Sequence, residues 1–301
     1  MFLLPRFKTI FLSPDFLARL PEGRSAAIRW RKVLLVGLSL MCAGGLAFGI
    51  AVGVVWFMSR DGGSPYKLNQ ALQQFKLLQM HDGNKSGLSG DLPVPGVYTY
   101  STIGSESASA PGLPSSSYGY PATSSMTVFA ASCGQDWRWQ PLNSRYEDLV
   151  VCRSSSGGFN LHSRFDLDEF YGVKDGRLFS CTPGSSWLPA SARQGETISG
   201  DCANGGNKNS GAVSVKYTGK VAGIVTLDVG GVKVPAVHIN YNEKFVGDTV
   251  GSGSWSVWLD AYDGMILKET RTETSQSKSV VGWVPSTETL ITTLSSLTPR
   301  Q

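Results

Sequence analysis

Residues 252–274, "SGSWSVWLDAYDGMILKETRTET", contain two runs of alternating side chains on either side of a turn. Trp255, Val257 and Leu259 are spaced two apart, which places them on one face of a β-strand. Asp263-Gly264 follows, and this pair favours a tight turn because glycine accepts a positive φ without steric cost. The stretch therefore predicts an antiparallel hairpin with one buried face.

The same signals recur through the C-terminal four-fifths of the chain. A second hairpin is predicted around Gly230-Gly231, between two apolar runs. Residues 66–79, "YKLNQALQQFKLLQ", repeat apolar side chains at helical spacing and predict one amphipathic helix. Residues 103–121 are rich in Ser, Gly and Pro and predict a long flexible loop. The expected fold is α+β and mostly β, with one helix followed by roughly eight to ten mainly antiparallel strands.

One strand, "GFNLHSRFDL" at 158–167, alternates between apolar and polar residues. Phe159, Leu161 and Phe165 are expected on its buried face, with Arg164 and Asp166 on the solvent face. The acidic end of this strand, at Asp166, Asp168 and Glu169, is expected to be solvated. A Ca²⁺ site is the alternative, but the glycine of an EF-hand loop is missing.

Residues 33–58, "VLLVGLSLMCAGGLAFGIAVGVVWFM", are twenty-six residues without a charge. At a rise of about 1.5 Å per residue, this length exceeds the ~30 Å hydrocarbon thickness of a bilayer. A signal peptide has a shorter apolar core, and a lipobox would need a small residue where Met41 precedes Cys42. The sequence therefore predicts a transmembrane helix, with Cys42 buried in it.

Basic residues give the orientation of this span. Residues 1–60 hold eight Lys and Arg against two acids, whereas the rest of the chain holds nineteen against twenty-one. The positive-inside rule then makes 1–32 a cytoplasmic basic segment, 59–65 a linker and 66–301 an extracytoplasmic domain at the cell membrane. Residues 1–32 either lie on the inner membrane surface or form a flexible tail. The slight negative charge of the outer part argues against nucleic-acid binding.

Gly45, Gly49 and Gly53 recur every four residues within the span. Small residues at this spacing let two membrane helices approach closely, so we expect a homodimer through this face. The alternative is that glycine is simply common in membrane helices.

Four cysteines follow the span, at Cys133, Cys152, Cys181 and Cys202. An even number outside the cytoplasm predicts two disulfides, and three pairings are open. Sequential pairing would close two loops of similar length. A structural zinc site is the rival, but it usually shows closely spaced CxxC pairs, and the chain has none after the span. No metal or cofactor is expected.

The hairpin at 252–274 also carries a resemblance. Trp258, Leu259, Asp260, Asp263, Gly264 and Leu267 form a pattern similar to the hairpin of the lipoprotein-carrier half-barrel superfamily. That superfamily includes lipoprotein chaperones, mycobacterial lipid-binding lipoproteins and the N-terminal half of the sigma-E regulator. The whole chain also resembles uncharacterised actinobacterial single-pass membrane proteins, through "PGVYTY", "WRW", the four cysteines and "SLTP". The resemblance implies a half-barrel sheet covered by one helix, with a lipid or acylated ligand held on the sheet.

Catalytic motifs are missing from the sequence. No G-x-S-x-G and no H-E-x-x-H occurs, and His162 and His238 fall on polar strand faces. Trp137, Trp139 and Trp255 are the candidate ligand-binding residues, and ordinary core packing is the alternative for them. We expect a non-enzymatic, membrane-anchored module that binds or senses a lipid or acylated ligand. One alternative is an envelope protein–protein interaction module without a small ligand, and another is an envelope hydrolase.

Overall fold

The computed structural model describes residues 63–81, 92–206, 211–279 and 282–301. These residues form one α-helix and fourteen β-strands. The helix is α1 (Leu68–His81), and the strands are β1 (Gly96–Ala108), β2 (Ser116–Gly119), β3 (Thr123–Ala130), β4 (Gly134–Leu142), β5 (Arg145–Arg153), β6 (Phe159–Phe170), β7 (Val173–Cys181), β8 (Ser186–Leu188), β9 (Thr197–Asn204), β10 (Val213–Val229), β11 (Val232–Gly247), β12 (Thr249–Asp260), β13 (Ile266–Ser279) and β14 (Gly282–Leu294).

The sheet closes on itself, because β14 pairs with β13 along one edge and with β1 along the other. Around the ring the order is β1, β3, β4, β5, β6, β7, β9, β10, β11, β12, β13 and β14, which makes a 12-stranded antiparallel barrel. Two short strands lie off the ring: β2 pairs with the end of β1, and β8 pairs with β6. The expectation of a mostly-β fold is confirmed. The open half-barrel is replaced by a closed sheet, since alternation within strands does not encode which strands are neighbours.

Helix α1 is confirmed close to its predicted position, but it lies on the outside of the barrel. Ala71 and Phe75 are buried against Val97 of β1. The neighbouring Tyr98 and Tyr100 belong to the separate interior core, because successive strand residues point to opposite faces. The helix therefore covers outward-facing side chains and does not close over a concave ligand surface.

Both predicted hairpins are present. Gly230 and Gly231 join β10 to β11, and Gly264, at φ 75°, lies in the turn between β12 and β13. In the second hairpin Trp255, Val257 and Leu259 are all buried, as predicted. The segment 103–121 differs from its prediction, since residues 103–108 complete β1 and pair with β14. Residues 116–119 form β2, so the predicted loop is confined to residues 109–115 between these two strands.

A β-bulge reverses the predicted alternation of β6. Val150 of β5 lies opposite Ser163, and Val151 lies opposite Leu161, so His162 is an extra residue. Because side chains alternate with a period of two, one extra residue moves all that follow to the other face. Arg164 is consequently buried in the barrel, and Phe165 stacks outside on Tyr146 at 5.4 Å between ring centroids.

The four cysteines form two disulfides, as predicted. Cys133 is bonded to Cys152 and Cys181 to Cys202, so the sequential pairing is the one present. The second bond joins β7 to β9, whose pairing consists of two residue pairs, one of them Cys181 with Cys202. This disulfide therefore strengthens the junction between β7 and β9, where only two residue pairs connect the strands.

Several predictions fall on residues that the structure does not describe. They are the basic segment 1–32, the span 33–58, Gly45, Gly49 and Gly53. Within the described ranges, no helix is both long enough and apolar enough to cross a membrane.

The barrel interior has two parts, which we call the apolar half and the charged half. The apolar half is filled by aromatic and aliphatic side chains, among them Tyr100, Trp137, Ile239, Leu259 and Leu267. The charged half contains Glu106, Arg145, Glu147, Arg164, Asp166, Asp168, Asp175, Arg177, Glu243, Glu269, Arg271, Glu273 and Glu288.

Candidate functional site

The charged half is the most unusual feature of the described chain. Nine carboxyl groups face four guanidinium groups there, so five carboxyls lack a matching cation. Charged side chains are rarely buried unless they are paired. Moving a charge out of water costs several kcal/mol of free energy, even after the surrounding protein has relaxed. The arrangement of these groups therefore decides what the interior can do.

Glu147 on β5 is the centre of the network. Its Oε1 lies 2.7 Å from Arg271 Nη1, 2.7 Å from Arg145 Nη2 and 3.3 Å from Arg164 Nη2. Burial alone would raise the pKa of Glu147, but the three guanidinium groups together hold it well below its usual value. Glu147 is therefore ionised at any physiological pH and ties β5, β6 and β13 together.

The same arginines also pair with carboxyls on β14 and β6. Arg271 Nε lies 3.1 Å from Glu288 Oε2, and Arg145 Nε lies 3.0 Å from Asp168 Oδ1. Arg164 Nε lies 2.9 Å from Asp166 Oδ1. Asp166 and Asp168 are thus ion-paired inside the barrel, which corrects the prediction of a solvated acidic strand end. The bulge at His162 is the physical reason.

Four glutamates form a row across the inner face. Glu273 lies opposite Glu288, and Glu288 opposite Glu106, on the successive strands β13, β14 and β1. Glu243 completes the row on β11, with Gly253 of β12 between it and Glu273. Like charges on directly opposite residues repel, so the row favours protonated carboxyls.

Burial raises the pKa values of Glu273, Glu106 and Glu243 in this row, and the charge of a nearby carboxylate adds to the shift at each. Burial is the larger cause at Glu273, where together with the nearby Glu288 it raises the pKa to about 8. The pKa of Glu106 is also well above normal, through burial and then the charge of Asp168. Tyr118 donates a 3.0 Å hydrogen bond to Glu106 Oε2, and the Tyr120 hydroxyl donates to Glu288. We therefore expect Glu273 to titrate near neutral pH, and Glu106 to stay protonated to a higher pH than an ordinary glutamate.

Two further carboxyls titrate in the same range. Burial raises the pKa of Glu269 to about 7 and that of Asp168 to about 6, although Arg271 and Arg145 respectively oppose the shift. A cavity of about 70 Å³ remains among these groups. This volume suits about two water molecules, each of which occupies ~30 Å³ in the liquid. The arrangement can hold protons and water, whereas a sugar ring or an acyl chain does not fit.

The three candidate tryptophans lie inside the barrel. Trp255 packs against guanidinium groups, with Arg271 at 4.8 Å and Arg164 at 5.1 Å from its ring centroid. Trp139 lies 5.9 Å from Arg271 and donates a 2.9 Å hydrogen bond to Ser124. The structure thus brings Trp139 and Trp255 together around Arg271. Trp137 lies in the apolar half, 1% exposed.

One group of potential metal ligands is present in the described chain. The sulfurs of Cys133 and Cys152 and a ring nitrogen of His162 lie within 4.8 Å of one another. Because the two sulfurs are bonded to each other, they are not thiolates and are poor metal ligands. His238 lies on the outer face, stacked on Trp258 at 4.3 Å between ring centroids.

A polar groove of about 520 Å³ adjoins the charged half. Its lining includes Ser64, Tyr118, Asn143, Glu169 and Tyr171. Tyr118 also binds Glu106, so this groove brings solvent close to the interior carboxyls.

Sequence reasoning missed the charged half, although β13 contains a signal. Residues 268–279, "KETRTETSQSKS", have no apolar residue on either face. A strand in a soluble sheet normally has one apolar face, so two polar faces indicate that one of them is buried against other charges. Pairing partners such as Glu147 and Glu288 are distant in sequence, and nothing local identifies them.

Together, the fold and the interior define a mostly-β, disulfide-bonded barrel with a filled core. No family model matches the chain, and no curated protein matches it. Among solved structures, the hypothetical lipoprotein YmcC from Escherichia coli (K12) is similar over 71% of this chain and 95% of that chain. The TM-score is 0.30 and the sequence identity 10%. Similarity at this level supports no argument about ligand or activity.

Proposed function

We propose that this protein is a non-enzymatic binding module of the cell envelope that acts through the outer surface of its barrel. The observation that supports it is the filled interior: packed side chains occupy the apolar half, and ion pairs cross the charged half. The predicted anchor at 33–58 would hold the barrel outside the cytoplasm, at the membrane surface. A partner can then reach only the outer strand faces and the barrel ends.

A lipid or acylated ligand inside the barrel is less well supported. Ligand pockets usually measure about 300–1,000 Å³, whereas the cavity of the charged half measures about 70 Å³. Its walls include eight carboxyl and guanidinium groups beside Ser, Thr and Phe side chains, and an acyl chain placed there would leave those charges desolvated. Trp139 and Trp255 already pack on Arg271. These contacts favour the interaction module among the functions expected from the sequence.

A hydrolase would need carboxyls that meet a substrate. Carboxyls do converge in the charged half, but Glu147, Glu288 and Asp168 are each held by an arginine. A glycosidase also needs space for a sugar ring and an attacking water between its two carboxyls. The small cavity does not provide that space.

The test is native mass spectrometry of the full chain, released from its own membrane in mild detergent. We expect the mass of the polypeptide with two disulfides, and no lipid that stays bound at one copy per chain. A lipid retained at that ratio, and present in an organic extract of the same sample, would overturn the proposal. Such a result would mean that the barrel interior is a lipid-binding site.

A further inference from the structure

The outer surface of strands β11, β12, β13, β14 and β1 is unusually uniform. Side chains that point outward form three rows across these five strands, and we call them the hydroxyl face. From β11 to β1 the rows are Asn240, Ser256, Thr270, Ile291 and Ile103; Asn242, Ser254, Thr272, Thr289 and Ser105; and Lys244, Ser252, Thr274, Thr287 and Ser107. Twelve of these fifteen residues carry a hydroxyl or an amide, and one, Lys244, carries a charge.

This neutrality does not reflect a shortage of charge in these strands. The same five strands hold Glu243, Glu273, Glu288, Glu106 and Arg271 on their inner face. Soluble proteins normally have about 25–35% charged residues on their surfaces. Here most of the charges point inward, where burial is costly, and the fifteen positions of the hydroxyl face carry a single charge, at Lys244. The other outward lysines of these strands, Lys233, Lys268 and Lys278, lie beyond the three rows. An outer surface with few charges and many hydrogen-bonding groups suits contact with a binding partner.

The hydroxyl face contains a groove of about 460 Å³, lined on its outer side by Asn240, Asn242, Ser254, Thr272 and Thr289. Hydrogen bonds between neighbours hold these short side chains in place. The Ser254 and Thr272 hydroxyls are 2.9 Å apart, and the Ser256 hydroxyl donates to Asn240 Oδ1 at 2.6 Å. Short, already ordered side chains lose little conformational entropy when a ligand binds.

We propose that the hydroxyl face binds a neutral polysaccharide of the cell envelope. This inference rests on the proposed function and names the partner of the binding module. A neutral glycan presents many hydroxyl groups and no charge, so it matches a dense array of hydroxyls and amides that lacks charge. An anionic polymer would favour rows of Arg or Lys. A protein partner would favour exposed Trp, Tyr or Arg at the centre of the face.

An aromatic residue lies beside the hydroxyl face. Trp283 of β14 is 44% exposed and points outward, four residues before Thr287 on the same side of the strand. Aromatic rings combine a flat apolar surface with a polar edge, which suits the CH-rich faces of sugar rings. A glycan lying along β14 would therefore meet hydroxyls first and then this ring.

The test uses the full chain in detergent and polysaccharide extracted from the organism's own envelope, separated by anion exchange into neutral and acidic fractions. Affinity electrophoresis of the protein through each fraction measures binding. We expect retardation by the neutral fraction and not by the acidic one. Thr272→Glu, at the centre of the face, should weaken retardation by about tenfold, because it removes a hydroxyl contact and desolvates a carboxylate.

Thr226→Glu is the matched control, since Thr226 is an exposed threonine of β10 outside the hydroxyl face. It should leave retardation within about twofold of the native chain. Equal losses in both variants, preference for the acidic fraction, or no retardation by the neutral fraction would overturn the inference. If native mass spectrometry shows no stoichiometric lipid on the chain, such a result would overturn the inference and leave the proposed function intact. A bound lipid would remove both.

Discussion

The two faces of strands β11, β12, β13, β14 and β1 carry opposite chemistry. In the charged half of the barrel, the inner face holds a row of four glutamates and Arg271, while the hydroxyl face outside consists mainly of Ser, Thr and Asn. A conventional sheet places apolar residues inside and charged residues outside. In this half of the barrel, the inward charges hold the strands together, whereas the nearly uncharged hydroxyl face outside is available for binding.

Arg271→Met gives the largest expected effect on the inner face. Arg271 is fully buried, and its loss would remove the closer of the two guanidinium groups that pair with Glu288 and one of the three that pair with Glu147. Breaking a buried ion pair from one side costs about 3–5 kcal/mol of unfolding free energy. Urea denaturation of the full chain, followed by tryptophan fluorescence, measures it.

The matched variant is Lys244→Met, an exposed cation at the corner of the hydroxyl face. It should leave the unfolding midpoint unchanged. If the two variants had equal stability, the inner network would not be what holds the barrel.

Two tryptophans on β12 sharpen the same comparison. Trp255 points inward onto Arg164 and Arg271, and Trp258 points outward between His238 and Lys268. Trp255→Leu should lower the unfolding free energy by about 2–3 kcal/mol, through lost buried area and two lost cation–π contacts. Trp258→Leu should cost about 1 kcal/mol or less. Thermal unfolding, monitored by circular dichroism, compares the two variants. A larger loss of stability in Trp258→Leu than in Trp255→Leu would contradict the inward placement of Trp255 and the outward placement of Trp258.

The pH dependence of stability follows from the raised pKa values inside. The folded chain binds more protons than the unfolded chain between about pH 4.5, the ordinary glutamate value, and the pKa of about 8 at Glu273. Stability should therefore fall as pH rises through this window. Glu273→Gln should flatten the decline throughout this window, because Glu273 contributes to the slope from about pH 4.5 to about pH 8.

Glu169→Gln is the control, because Glu169 is half-buried at the end of β6 and pairs at 3.7 Å with the exposed Lys174, away from the arginines of the charged half. Its unfolding temperature should follow the native pH profile. A native chain whose stability rises steadily from pH 5 to 8 would show that the interior carboxyls are not protonated in the folded state.

The smallest effect is expected from charges added outside. Thr272→Glu and Thr226→Glu should each change the unfolding free energy by less than about 0.5 kcal/mol, since both side chains are exposed. A large loss of stability from Thr272→Glu alone would mean that the hydroxyl face has a structural role in the folded barrel.

Local sequence patterns predicted the local structure well. The helix, the turn at Gly264, the buried face of Trp255, Val257 and Leu259, and the two disulfides all follow from spacing and residue type. These features depend on residues close together in the chain, where periodicity and turn chemistry act directly.

Features that depend on distant residues could not be predicted. Closure requires β1 to meet β14, and no local signal specifies this pair. The inward turn of Arg164 depends on one extra residue at His162, which leaves the alternating pattern of the sequence unchanged. The neutral outer face was hidden for the same reason, because its rows emerge only once five strands are aligned.

The most direct test of the account is photo-cross-linking in intact cells, with a photoreactive amino acid placed at Thr272 or, in a separate strain, at Thr226. The account predicts adducts of an envelope component from position 272 and few or none from position 226, because binding occurs on the hydroxyl face. Equal labelling from the two positions, or none from position 272, would contradict the claim that this outer face is the binding surface.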